Sequence, residues 1–270
     1  MNIKPEKIEV FNHEKFVVTT ANKPDKELVI KARKLAKELG TRYVSRRKLA
    51  EYKKQFPIDF FYSVEKERLV IRWGESGTFF FHPASSKMRM RNIRHNQRDY
   101  LIETLALKGD EQILDLTLGL GSEAILMGAY IDTGKIVGVE ASKHIYTIVK
   151  YGMKQYVDVS PWVNKSMTKI DLVNRDFKEY IRELPDNSFD IVYCDPMFEN
   201  PVMTSSSLNA IRPFAAYEQL ELEDVEEMKR VAKKMVLLKA LEKDSLFERI
   251  KTDTIVGSKS SGVLYGVIEK

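Results

Sequence analysis

The chain has 270 residues, 31% of them charged and 43% hydrophobic, the balance of a soluble globular protein with room for one large or two modest domains. No stretch approaches the roughly 18 apolar residues of a membrane span. The first ten residues alternate charged and apolar groups, which is not a signal-peptide pattern. Cys194 is the single cysteine, so no intrachain disulfide forms and a cytoplasmic location is expected. Cysteine-cluster metal sites are excluded, the four histidines form no H-E-x-x-H motif, and no metal is expected.

The net charge of +5 is unevenly placed. Residues 1–108 carry 24 Lys and Arg against 13 Asp and Glu, or +11, and the remainder carries −6. A basic half joined to an acidic half suggests a polyanionic partner for the first.

In chain order, residues 14–20 read as a strand and 22–25 as a turn, with Asp25 as a helix cap. Leu28, Ile30, Ala32, Leu35, Ala36 and Leu39 then give a helical apolar face that stops at Gly40. A short strand is expected over 41–44 and a basic helix from Ser45 that ends before Pro57. Strands at 59–64, 68–73 and 78–82 complete a small basic α/β domain over residues 1–84, assigned to RNA or substrate binding.

The stretch 85–98 holds Lys87, Arg89, Arg91, Arg94 and Arg98, and no acid occurs between Ser76 and Arg98. Arginines mixed with Asn, Gln and His suit phosphate contacts and base-edge hydrogen bonds; a solvated linker is the alternative. Only its later part, through Tyr100, Leu101, Leu105 and Leu107, reads as helical.

From Glu111 strands and helices alternate: strand 111–117, helix 122–132, strand 135–140, helix 142–156, strand 169–175, a short helix 177–183, strand 189–194, helix 221–233 and strand 234–240. Such alternation predicts a parallel sheet covered on both faces. Strands at 252–257 and 263–269 form a closing antiparallel hairpin. Residues 85–270 are thus expected to form one Rossmann-like α/β domain.

The stretch Asp115 to Glu123 sits between the first of these strands and its helix. Gly119 and Gly121 permit a sharp turn and a close ligand approach, and amides at a helix start suit an anion. A dinucleotide fold wants G-x-G-x-x-G/A, met here only with Ala124. A fold for S-adenosylmethionine (SAM) wants an acid at the strand end, and Asp115 supplies it. Both want an acid about 20 residues on for the ribose hydroxyls, which is Glu140. Asp176, ending the next strand, can accept from an adenine amino group while Phe177 packs on the ring; Asp176 as a plain helix cap is as good a reading.

Asp195-Pro196-Met197-Phe198 stands at the end of strand 189–194, where open α/β sheets bind ligands. An exocyclic amine on a base is a poor nucleophile because its lone pair is delocalised into the ring. A carboxylate on Asp195 and the Pro196 carbonyl could accept its two N–H groups and aim the lone pair at a methyl donor. Phe198 could hold the base by stacking. Cys194 reads as a small buried residue.

With these motifs on the page, the chain resembles the RsmJ-type (YhiQ-type) methyltransferases over roughly residues 78–270. The resemblance rests on Thr78 to His82 and the basic run after it, on Asp115-x-Thr117-x-Gly119-Leu120-Gly121, on Val192-Tyr193-x-Asp195-Pro196-Met197-Phe198, and on Lys239 at the end of the fifth strand. It implies methyl transfer from SAM to the N2 of a guanine in small-subunit ribosomal RNA, on a seven-stranded class I methyltransferase sheet. It also implies a cofactor site lined by Ser122, Glu123, Glu140, Ala141, Asp176, Phe177 and Asp195. Glu199, the Ser122-Glu123 pair and Ala141 depart from the family pattern and mark a divergent member. DNA or small-molecule amino-methylation, and a non-catalytic SAM- or RNA-binding module, are the other readings.

Overall fold

The computed structural model of the chain describes residues 11–197, 206–217, 219–258 and 261–270. The elements run β1 (Phe16–Thr20), α1 (Lys26–Glu38), a 3-10 turn at Arg46–Lys48 leading into α2 (Leu49–Gln55), β2 (Phe60–Val64), β3 (Leu69–Trp73) and β4 (Gly77–Phe80). Two helices follow, α3 (Ala84–Arg94) and α4 (Tyr100–Leu105). Then come β5 (Gln112–Asp115), α5 (Ser122–Gly128), β6 (Lys135–Val139), α6 (Lys143–Gln155), α7 (Pro161–Met167), β7 (Ile170–Val173), α8 (Phe177–Arg182) and β8 (Phe189–Cys194). The chain closes with α9 (Ser206–Ile211), α10 (Leu222–Val231), β9 (Ala232–Leu241), α11 (Leu246–Arg249), β10 (Thr254–Ser258) and β11 (Val263–Glu269).

These elements separate into two compact units. The first takes in described residues 11–82 together with 147–156 and 206–214. The two short segments, assigned by sequence to the second domain, belong with the first unit. Its sheet has the order β1-β2-β3-β4, with β1 and β2 parallel and the later pairs antiparallel. Asp25 caps α1 by accepting from the Leu28 amide at 2.8 Å, and Ala32, Leu35 and Ala36 form its buried face. The expected strand at 41–44 is reduced to a single bridge between Val18 and Tyr43. The core of this unit is aromatic: the Phe214 ring, fully buried, lies 5.1–5.7 Å from those of Phe11, Phe60, Trp73 and Phe79. Phe16 stacks on Phe60 at 5.2 Å.

The second unit carries the seven-stranded sheet, in the order β10-β11-β9-β8-β5-β6-β7. β5 through β9 pair in parallel, and β11 and β10 add the antiparallel hairpin. Leu114, Val139, Val192, Val236, Leu238 and Ile268 are buried on it against Ile181, Val225 and Met228 of the helices. The chain winds outward from β5 through β6 to β7, then returns to the other side of β5 with β8. That reversal opens a crevice beyond the strand ends, where a ligand can reach main-chain groups.

Two local expectations change. The basic run is itself helical: α3 spans Ala84–Arg94 with Ser86 and Met90 buried, two inward positions four residues apart that the run of charge conceals. Between the expected helix 142–156 and strand 169–175, where no element is expected, lies α7, with Pro161 in its opening turn, where a fixed φ favours helix initiation.

Candidate active site

Three strand ends converge at the reversal. The glycine turn after β5 is built on positive φ values of 54° at Gly119 and 72° at Gly121, a backbone region that side chains disfavour. Asp115 pairs in register with Tyr193 on β8, and Cys194 pairs with Leu238 on β9. The residues just past that last pair, Asp195 and Lys239, therefore meet side by side. Thr117 ties the first two ends together, its hydroxyl accepting from the Asp195 amide at 2.6 Å.

A chain of ion pairs runs through the centre. Lys239 Nζ donates to Asp195 Oδ2 at 2.6 Å and to Glu123 Oε1 at 3.1 Å. Arg89 donates to the same Glu123 oxygen at 3.0 Å and holds Asp99 with two bonds of 2.8 Å. Asp99 in turn caps α4 by accepting from the Ile102 amide. Among these, the Asp195 side chain is one-fifth exposed, yet its Oδ1 is shielded from solvent and makes no hydrogen bond. A buried acceptor without a donor is costly, and this one stands just past the C-terminal end of β8.

Asp115 lies within electrostatic reach of the carboxyl groups of Glu123, Asp195 and Glu140, and Asp195 within reach of Glu123. Burial pushes Asp115 well above the ordinary range. Burial also lifts Asp195 to about 6, against the pull of Lys239. Burial would raise Glu123 too, but Lys239 and Arg89 outweigh it and hold that carboxyl at about 2. Glu140, 7% exposed, is raised by burial to about 7 even though it accepts from the Ser142 and Gly119 amides at 2.8 and 3.0 Å. At neutral pH Glu123 and Asp195 are ionised against the half-buried Lys239 and Arg89, while burial keeps Asp115 protonated and Glu140 part protonated.

The other sequence-derived positions fall around this centre. Ser122 opens α5, and its carbonyl accepts from Ser86 Oγ at 2.8 Å. Ala141 is exposed. Asn174 Nδ2 donates to the carbonyls of Glu140 and Ala141 at 2.8 and 3.2 Å, joining the end of β7 to that of β6. Asp176 caps α8 by accepting from the Glu179 amide at 3.0 Å, and Phe177 is buried beside it. Pro196 is half-buried at the end of β8. Phe198 and Glu199 lie outside the described residues. Sequence reasoning missed Arg89 and Asp99 as parts of the site, and it had Lys239 through the resemblance alone.

The basic run divides. Arg89 is turned into the site, half-buried between Glu123 and Asp99. Lys87 pairs with the buried Asp158 at 2.8 Å, and the exposed Arg98 pairs with Glu103 at 2.6 Å. Arg91 and Arg94 are exposed on α3. Among the described residues no group of three or more His, Cys, Asp or Glu is placed to hold a metal ion, and no helix is long and apolar enough to cross a membrane.

Residues 45–260 match the family described as "Putative SAM-dependent methyltransferase". An uncharacterised protein of Bacillus subtilis, YpiP, is 32% identical over 94% of this chain and 99% of its own length. A ribosomal RNA small subunit methyltransferase J of Francisella tularensis subsp. novicida is 34% identical, over 32% of this chain and 34% of its own length. Among solved structures, a SAM-dependent methyltransferase of Neisseria gonorrhoeae superposes with a TM-score of 0.63, covering 93% of this chain and 95% of that one at 14% identity, a likeness of fold. The glycine turn and the buried Glu140 fit SAM, and with the match across residues 45–260 the chain belongs to the SAM-dependent methyltransferases.

Proposed function

We propose that this methyltransferase acts on RNA at an exocyclic amine of a base, the N2 of a guanine in small-subunit ribosomal RNA. The observation that carries the reading is Asp195: an acidic side chain at the end of β8, anchored through Oδ2 by Lys239, with Oδ1 shielded and lacking a donor. An amine N–H is the donor such an oxygen lacks. The Pro196 carbonyl would accept the second N–H. Together they would favour a pyramidal nitrogen with its lone pair directed along the transfer axis. SAM, when bound, supplies the electrophilic methyl group. Glu140 would accept from the ribose hydroxyls, and Asp195, ionised above about pH 6, would take the proton that the methylated nitrogen releases. Phe198 would stack on the base.

The ribosomal target is supported by the partial similarity to ribosomal RNA small subunit methyltransferase J and by the +11 charge of residues 1–108. The test is mass spectrometry of nucleosides from the ribosomal RNA of cells lacking this protein. Loss of one N2-methylated guanosine relative to the parent strain is expected; an unchanged inventory of methylated nucleosides would overturn the assignment.

Phosphate contact by the exposed part of α3 can be measured separately. Arg91→Ala with Arg94→Ala should lower the slope of log K for RNA against log salt by about 1.4–1.8 units, at roughly 0.7–0.9 per lost contact, and leave SAM affinity unchanged. Identical slopes for parent and variant would make α3 a plain surface helix.

A further inference from the structure

The first unit contains a second cationic arrangement, remote in sequence from the glycine turn. A cleft of about 630 Å³ is lined by Arg46, Leu49, Lys53, Phe61, Ser63 and Trp73, among others. The volume lies within the roughly 300–1,000 Å³ of ligand sites. Phe61, on β2, is 6% exposed, and two cations rest against its ring. Arg46 Cζ is 5.3 Å from the ring centroid and Lys53 Nζ 4.6 Å.

Cation–π contact alone does not explain this pairing. Each contact is worth about 0.5–1 kcal/mol at an exposed site, and bringing two like charges to one ring works against both. Two observations show the resulting tension. Arg46 Nη1 is shielded from solvent and has no hydrogen-bond acceptor. Lys53 has its ammonium held below the usual range, by desolvation and then by the nearby Arg46. Two acids line the cleft, Glu65 and Glu75; Glu65 is already shared by Arg72 at 2.8 Å and Arg68 at 3.3 Å. A guanidinium fork and an ammonium without an anion between them complement a phosphate, which offers acceptors to both.

We propose that this cleft is a phosphate subsite for RNA, in which a phosphodiester of the substrate strand seats between Arg46 and Lys53 over the edge of Phe61. The proposal rests on the RNA-methyltransferase reading and adds a contact point that the active site does not contain. A phosphate there would satisfy Arg46 Nη1 and relieve the repulsion between the two cations. The aromatic floor would contribute no sequence preference, so the subsite would fix the register of the RNA and not its base identity.

The test uses the full-length protein, a fluorescent transcript of small-subunit ribosomal RNA, and the variants Arg46→Gln, Lys53→Gln and the double variant. Glutamine keeps part of each apolar stem, and unchanged melting and SAM binding would verify the fold. The expected result is a loss of RNA affinity of roughly tenfold or more for the double variant, with the salt slope lowered by about 1.4–1.8 units. As a measurement that needs no variant, RNA should protect Lys53 of the parent protein from acetylation more than it protects Lys66, which lies on the exposed turn between β2 and β3. RNA that binds the parent and the double variant with the same affinity and slope would overturn the subsite while leaving the RNA reading intact. A parent protein that binds no RNA would overturn both. If inorganic phosphate at millimolar concentration raised the melting temperature of the parent and not the variant, while RNA failed to bind, the site would belong to a small phosphate and the proposal would fall.

Discussion

Asp195→Ala is expected to slow single-turnover methyl transfer to ribosomal RNA by about 10²-fold or more, the loss seen when one preorganised polar group is removed. The substitution deletes the shielded acceptor that would align the amine and frees Lys239, which retains Glu123 as a partner. SAM affinity should change by several-fold at most, because Glu140 and the glycine turn are untouched. Folding should survive, since the side chain stands at a strand end. The parent enzyme should also show an acid limb. Burial lifts the Asp195 carboxyl to about 6, so the rate should fall as pH drops through that value and the acceptor becomes protonated. Wild-type transfer by Asp195→Ala, measured with labelled methyl beside calorimetric SAM binding, would mean that the amine is held elsewhere.

Glu140→Ala should weaken SAM binding by about 1.5–3 kcal/mol, the worth of hydrogen bonds to a charged group. The pH dependence gives a sharper test. Burial raises this carboxyl from 4.5 to about 7, so near neutral pH it is part protonated in the free protein. Ribose hydroxyls would donate to the ionised form and favour it. Affinity should therefore rise as pH increases from 6 to 8, with proton release on binding. The same shift has a cost in the free protein: because the folded carboxyl holds its proton to higher pH than the unfolded one, Glu140 loses stability for the fold as pH rises from about 4.5 to 7. Calorimetry in buffers of different ionisation enthalpy would detect the released proton. An affinity independent of pH over this range, in the parent protein, would remove Glu140 from the ribose site.

The parts of the site legible in sequence are those set by strand ends. Asp115, the two glycines, Glu140, Asp176 and Asp195 each close or follow a short apolar run, and alternation of strand and helix brings such ends to one edge. What lay hidden depends on register between distant strands. Lys239 meets Asp195 only because Cys194 pairs with Leu238, and no spacing along the chain encodes that. Arg89 was hidden for a different reason. In a run of five basic residues it has the same composition as its neighbours, and only the helical phase of α3, with Ser86 and Met90 buried, separates the inward arginine from Arg91 and Arg94. The segments 147–156 and 206–214 gave no local sign of belonging with the first unit.

That last feature bears on how the protein is made. Phe11, Phe60, Trp73 and Phe79 are arranged around Phe214, which enters the ribosomal tunnel long after them. At about 5–20 residues per second, the four early rings would wait about 7–26 s between the emergence of residue 82 and that of residue 214. Through this interval the nascent sheet exposes aromatic surface that only a later segment can cover. An isolated 1–82 fragment, which lacks Phe214, should therefore be prone to aggregate where the complete chain is not.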